Sequence, residues 1–351
     1  ITATKPTSPL LHRRSIPLHL RYRGDTATVT IKCNGMELLS ETYYPVSGSI
    51  TIYDLGTLIA DAVRPTVTAS FTIDITEHQG EIDIATWSSG AITAYYATVD
   101  IDMSCSSFID RYFLTLLDGT KLTRLGHREY LHAAGINSST PTVVAQFFKD
   151  NQVTTVQVHL SHTYHTANGI TSFDVSPDRY CDASEGDLFA YTVTVGDRTQ
   201  QYQIDHTGSI ADPVLLFTNS FGCQEIFYCL GKKKIAPVFE RKSAVIGGKK
   251  INYQVKETRT FEGDTGIIPP SMAHFAEDLL RSDEVYLFRD YAQDKQITLT
   301  DSKSERTNEA DDLAEFTFSY QYSQRIQNVV FKNIDTSSGK IFDRSFDDTF
   351  N

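Results

Sequence analysis

Phe189-Ala190-Tyr191-Thr192-Val193-Thr194-Val195, a turn at Gly196-Asp197, and Gln200-Gln201-Tyr202-Gln203-Ile204-Asp205-His206 decide how this chain is read. Large or β-branched residues alternate with polar ones on both sides of the turn. That is the pattern of an antiparallel hairpin with one face buried. Working outward, the same alternation recurs over 142–149 and 153–162, joined at Asp150-Asn151. It recurs again over 26–33 and 36–44 about Asn34-Gly35, a turn whose residues tolerate the positive φ that tight hairpins require.

Further strands are expected at 16–21, 49–53, 66–76, 91–103 and 113–117. In the C-terminal part they are expected at 214–218, 225–230, 251–261, 285–289, 297–300 and 316–322. Helices are few. Asp54 is placed to cap one over 55–63 that Pro65 closes, and Met272, Phe275, Leu279 and Leu280 fall at helical spacing after Ser271. Residues 125–134 read as a short helix or an irregular connection.

The fold class predicted is mainly β: consecutive antiparallel β-sandwich units, fibronectin- or immunoglobulin-like, with a few short helices. At 351 residues the chain exceeds the size at which one core keeps growing. Three units are expected, an N-terminal sandwich over 1–103, a central sandwich over 104–212 and a C-terminal β-rich domain with one helix over 213–351.

A net charge of −12 argues against nucleic-acid binding and against docking on anionic membranes, since both need clustered cations. No apolar run is long enough to span a bilayer, so no membrane insertion is expected. The five cysteines are an odd number in a long chain, which speaks against a disulfide framework. Cys223 and Cys229 read as buried thiols on one face of a strand. Ile1 leaves open a leader removed ahead of it, and with it the compartment.

Several constellations carry a chemical reading beside a plain one. His159, His162 and His165 supply a common metal-ligand type, yet in one strand His162 points away from the other two. Asp174, Asp178, Asp182, Glu185 and Asp187 offer carboxylate oxygens to a hard cation, but without a calcium-loop spacing they read as a solvated loop. Arg23-Gly24-Asp25, between two expected strands, is the tripeptide that adhesion receptors read, and also an ordinary turn. Trp87, the single tryptophan, with exposed tyrosines would make a sugar-stacking platform.

Lys232-Lys233-Lys234, Arg241-Lys242 and Lys249-Lys250 form a basic patch that lacks the interleaved aromatics of a nucleic-acid surface. A solvated loop, or a contact with an acidic neighbouring subunit, suits it better. Gly247-Gly248 reads as a hairpin turn. The layouts G-x-S-x-G, H-E-x-x-H, G-x-x-x-x-G-K-[ST] and G-x-G-x-x-G are absent, so the chain reads as non-enzymatic and without a cofactor. A β-sandwich hydrolase would have to build its cleft where His159–His165 faces Asp174–Asp187.

Three stretches of the C-terminal unit resemble virion structural proteins, of tail or baseplate type, from phages and prophages of Bacteroides-type bacteria. They are 216–225 (L-F-T-N-S-F-G-C-Q-E), 258–266 with the following helix and 279–286, and 297–301 with 313–320. The N-terminal hairpins followed by Thr51-Ile52-Tyr53-Asp54-Leu55 resemble that group's opening sandwich. The resemblance implies a structural protein of a phage-tail-like particle, assembled in the cytoplasm through protein partners or self-assembly. It brings no catalytic residues, and it makes Asn219 and Gly222 turn-formers between two buried strands. The alternative is a cell-surface or secreted protein that binds a glycan or a host-surface ligand.

Overall fold

The computed structural model describes residues 2–3, 10–11, 18–21, 24–46, 49–52, 55–136, 141–159, 163–182, 184–207, 210–304 and 314–324. Strands dominate, arranged in several sheets whose pairings are nearly all antiparallel, and three short α-helices accompany them among these residues. No helix among them is long and apolar enough to cross a membrane.

The N-terminal stretch contains β1 (Thr2–Ala3), β2 (Leu10–Leu11), β3 (Leu18–Arg21), β4 (Thr26–Cys33), β5 (Met36–Tyr43), β6 (Ser49–Ile52), α1 (Leu55–Val63), β7 (Thr68–Gln79), β8 (Ile82–Ser88) and β9 (Ile92–Tyr95). One sheet runs β1-β3-β6, and another runs β2-β9-β7-β4-β5 with β8 also paired to β7. Burial alternates strictly along β4 and along most of β7, so Val29, Ile31, Phe71 and Ile73 share one face. Ile59 and Val63 of α1 and Ile50 of β6 close that face into a core. Each such side chain contributes about 1.5–3 kcal/mol by leaving water. The strand expected over 91–103 ends at Tyr95, and the sequence reading had no counterpart of β8.

The central stretch contains α2 (Cys105–Arg111), β10 (Thr120–Thr123), β11 (Tyr130–Ala134), β12 (Thr142–Lys149), β13 (Gln152–His159), β14 (Thr163–Ala167), β15 (Ile170–Asp174), β16 (Asp187–Val195) and β17 (Arg198–Ile204). The sheet β10-β17-β16-β12-β13 faces the smaller sheet β11-β15-β14 across a core that includes Phe147, Tyr191, Tyr202, Leu131 and Phe173. At its edge β10 runs parallel to β17, a departure from the expected antiparallel scheme. Residues 130–134, expected as helix or irregular chain, are a strand because β15 supplies the partner. Helix α2 starts where the sequence suggested β structure. Ser104 Oγ accepts from the Ser107 amide at 3.2 Å and caps it.

The C-terminal stretch contains β18 (Val214–Thr218), β19 (Gln224–Tyr228), β20 (Lys234–Ile246), β21 (Lys249–Asp264), α3 (Ala273–Arg281), β22 (Val285–Arg289), β23 (Ala292–Lys303) and β24 (Thr317–Tyr322). These form one antiparallel sheet in the order β19-β18-β22-β23-β24-β21-β20. Phe275, Ala276 and Leu279 of α3 pack on Leu215, Phe217, Phe227 and Leu287 of that sheet. Leu117 and Leu122 join the same cluster from the central stretch. Another cluster joins Ala97, Phe108, Leu114 and Ile170 to Phe221 and Cys223. Cys223 and Cys229 are both buried free thiols, but they lie in different cores, because β19 begins after Cys223.

Candidate functional site

The turn between β18 and β19 is where the polar chemistry of the interior concentrates. Asn219 Oδ1 accepts from the amides of Phe221 and Cys223, both at 2.9 Å. Its Nδ2 donates to the Leu114 carbonyl at 2.7 Å and to Glu225 Oε2 at 2.8 Å. Gly222 adopts φ +76°, and a Cβ there would meet Val67 at 3.2 Å and Tyr96 at 3.3 Å, so both conformation and space favour glycine. Asp278 of α3 accepts from the Ser220 amide at 3.1 Å and from its hydroxyl, while the Thr98 amide donates to the Ser220 carbonyl at 2.8 Å. Three separate stretches of chain are tied to this one turn.

A second buried group adjoins it. Lys121 Nζ lies 2.6 Å from Glu129 Oε2, 3.3 Å from the Ile226 carbonyl and 4.5 Å from the centre of the Phe275 ring. Thr123 Oγ1 donates to the other oxygen of Glu129 at 2.8 Å. Burial raises the Glu129 carboxyl, against the pull of Lys121. Burial pushes the Glu225 carboxyl up to about 7; Lys121, Asn219 and Thr115 draw it down, and Asp278 adds to the rise. Burial also raises Asp278, against its bonds from Ser220. His132 is held down to about 4 by burial. Its Nε2 is 2.7 Å from the Gln224 carbonyl, which can only accept, so this nitrogen carries the proton and Nδ1 accepts from Ser172.

A cleft of about 550 Å³ opens beside the turn, lined by Arg64, Tyr96 and Thr98 on one side and by Thr218, Ser282 and Glu284 on the other. Arg64 donates to Asp283 at 3.2 Å across it. Cations and carboxylates are mixed along its walls, which selects for no single ligand charge.

The residues singled out in the sequence are dispersed. Arg23 lies outside the described residues. The Gly24 amide donates to Glu77, the Asp25 amide donates to the His78 carbonyl at 2.8 Å, and Asp25 Oδ2 accepts from the Gly80 amide at 3.1 Å. Both residues therefore grip the turn between β7 and β8. Trp87 is half-buried on β8, packed against the N-terminal core. His159 ends β13 and His165 lies in β14, strands of different sheets, while His162 lies outside the described residues. Within the acidic loop, Asp174 turns inward to Ser176 and Arg179, and Asp178 accepts from the Gly126 amide. Among the described residues no three His, Cys, Asp or Glu side chains are grouped to hold a metal ion.

The basic patch is not a loop. β20 and β21 form a long hairpin turned by Gly247 and Gly248 at φ 58° and 78°, and only Phe261–Asp264 of β21 pair onward to β24. Beyond that pairing two strands project alone for roughly 35 Å, at about 3.3 Å per residue. Val245, Ile246, Ile251, Tyr253 and Val255 are exposed there by 46 to 72%. Between 232 and 256 stand eight Lys or Arg and one Glu, a net +7 in a chain of −12, so the remainder carries −19.

Sequence reasoning missed Lys121, Glu129 and Asp278. Lys121 alternates with Leu122 as if it faced water, and the available signal was Glu225 within an otherwise apolar run. No family model matches the chain, and no curated protein matches it.

Proposed function

We propose that this chain is a non-catalytic structural protein of a phage-tail-like particle, built from fibronectin-like or related β-sandwich units and assembled in the cytoplasm through protein contacts. The observation that carries the reading is the projecting β20–β21 hairpin. An isolated two-stranded hairpin is marginal in water, and one that exposes Val, Ile and Tyr along its length calls for a protein surface to cover it. The buried carboxyls Glu129 and Glu225 support a structural role, since each is bonded to a side chain, Lys121 or Asn219, that also holds the backbone of another stretch. The particle itself is inferred from the resemblance of 216–225 and its companion stretches. Trp87 and Gly24-Asp25, engaged as they are with the N-terminal sheet, add no weight to a glycan- or receptor-binding reading.

The test is to purify particles from a producing strain and to quantify this chain in them by mass spectrometry, alongside the surface and secreted fractions. Stoichiometric recovery with the particles is the expected result. Recovery only from the envelope or the medium would overturn the proposal in favour of a surface protein.

A further inference from the structure

The arm of one molecule has a complementary site on the rest of the chain. On the outer face of the central sheet, Val153, Phe148 and Asp187 lie side by side across β13, β12 and β16. With Phe189 and His206 they line an open groove of about 410 Å³. Phe148 is 46% and Val153 58% exposed, large apolar side chains left uncovered on a sheet face. The loop bearing Asp182 and Glu185 lies against this end of the sheet, because Lys149 Nζ donates to the Ser184 carbonyl at 2.7 Å. Asp182 and Asp187 are exposed, as is Asp150 in the turn between β12 and β13. The groove is thus apolar along its floor and mainly acidic at its rim.

The arm tip is its opposite in charge and its match in polarity. Val245 pairs across the hairpin with Lys250, and Ile246 with Lys249, so each apolar side chain at the end has a lysine beside it. We infer that the β20–β21 arm of one molecule docks into the Phe148–Val153–Asp187 groove of a second copy of this chain. The inference rests on the assembly reading above and names the partner. Arm and groove are different patches, so the contact is head-to-tail and each docked molecule still offers one free arm and one free groove. Repetition of that contact builds a ring or an open filament, according to the rotation between successive copies.

The experiment is sedimentation analysis of the full chain from micromolar to millimolar concentration, using wild type, the arm variant K249E/K250E, the groove variant D182K/D187K and their equimolar mixture. All four substituted residues are exposed, and circular dichroism is the control that each variant keeps the wild-type fold. Wild type is expected to grow in mass with concentration, and each variant alone to associate about tenfold more weakly or worse. The mixture regains association, because each variant supplies the charge that the other now needs. Salt weakens the wild-type contact. A wild type that stays monomeric throughout overturns the inference, as does a pair of variants indistinguishable from wild type. If the chain is monomeric yet recovered in purified particles, the second-copy inference alone falls and the arm meets a different particle protein. If it is monomeric and absent from particles, the assembly reading falls with it.

Discussion

Asn219 makes four hydrogen bonds from one side chain and is 3% exposed, so no water stands ready to replace any of them. Asn219→Ala strands the amides of Phe221 and Cys223 and the carbonyl of Leu114 inside the protein. A loss of about 3 kcal/mol is expected, read as a lower urea midpoint at unchanged slope. Glu225 beside it gives a pH signature. Its folded-state value of about 7 stands above the ordinary 4.5, so the folded protein holds a proton that the unfolded chain releases. Stability from this group is therefore complete below about pH 4.5 and is lost as pH rises through 7. Glu225→Gln removes the titration while keeping an oxygen for Asn219. Its stability relative to wild type should rise by roughly 3 kcal/mol between pH 4.5 and 8, measured by urea unfolding across that range. A difference that stays flat with pH would show that Glu225 is ionised throughout.

At the scale of elements, the β20–β21 hairpin separates length from stability. Its distal residues contribute nothing to the buried clusters, whereas Phe261 at its base is 5% exposed and stacks on Tyr320 at 5.1 Å. Replacing 238–258 by Asn-Gly is expected to leave the melting temperature of the monomer within about 2 °C of wild type. In the intact monomer, amides of the distal hairpin should exchange with solvent far faster than those of β18, whose Leu215 and Phe217 are fully buried. A large drop in melting temperature on trimming would mean that the arm folds back on its own chain.

For the whole molecule, the deciding contacts are those that cross between stretches distant in sequence. Lys121 reaches Glu129, the Ile226 carbonyl and the face of Phe275, joining β10 to β19 and α3. Lys121→Ala leaves Glu129 buried without its cation and is expected to cost about 3–5 kcal/mol. The paired change Lys121→Met with Glu129→Leu should recover most of that loss, since it removes both desolvation penalties together. Calorimetry of the two variants checks this, and a double variant as unstable as the single one would refute it. Because Leu117 and Leu122 share a core with α3, the single variant should loosen exchange in β16 and β17 as well as in the C-terminal sheet.

Alternation and turn chemistry, which are local, made the hairpins legible in the sequence. The alternations of β4 with β5, β12 with β13 and β16 with β17 lie in the residue pattern, as do α1 and α3. So does the glycine demand at 222, and so does the basic character of 232–250. Tertiary structure alone decided the rest. β11 and β15 are strands through each other, β10 joins β17 in parallel, and β20 is the outer strand of an arm. Whether Lys121 faces water depends on what packs above it, and those partners, Ile226 and Phe275, lie 105 and 154 positions away. A side chain's period is set by its own strand, but its burial and its charge state are set by neighbours that only folding brings into contact.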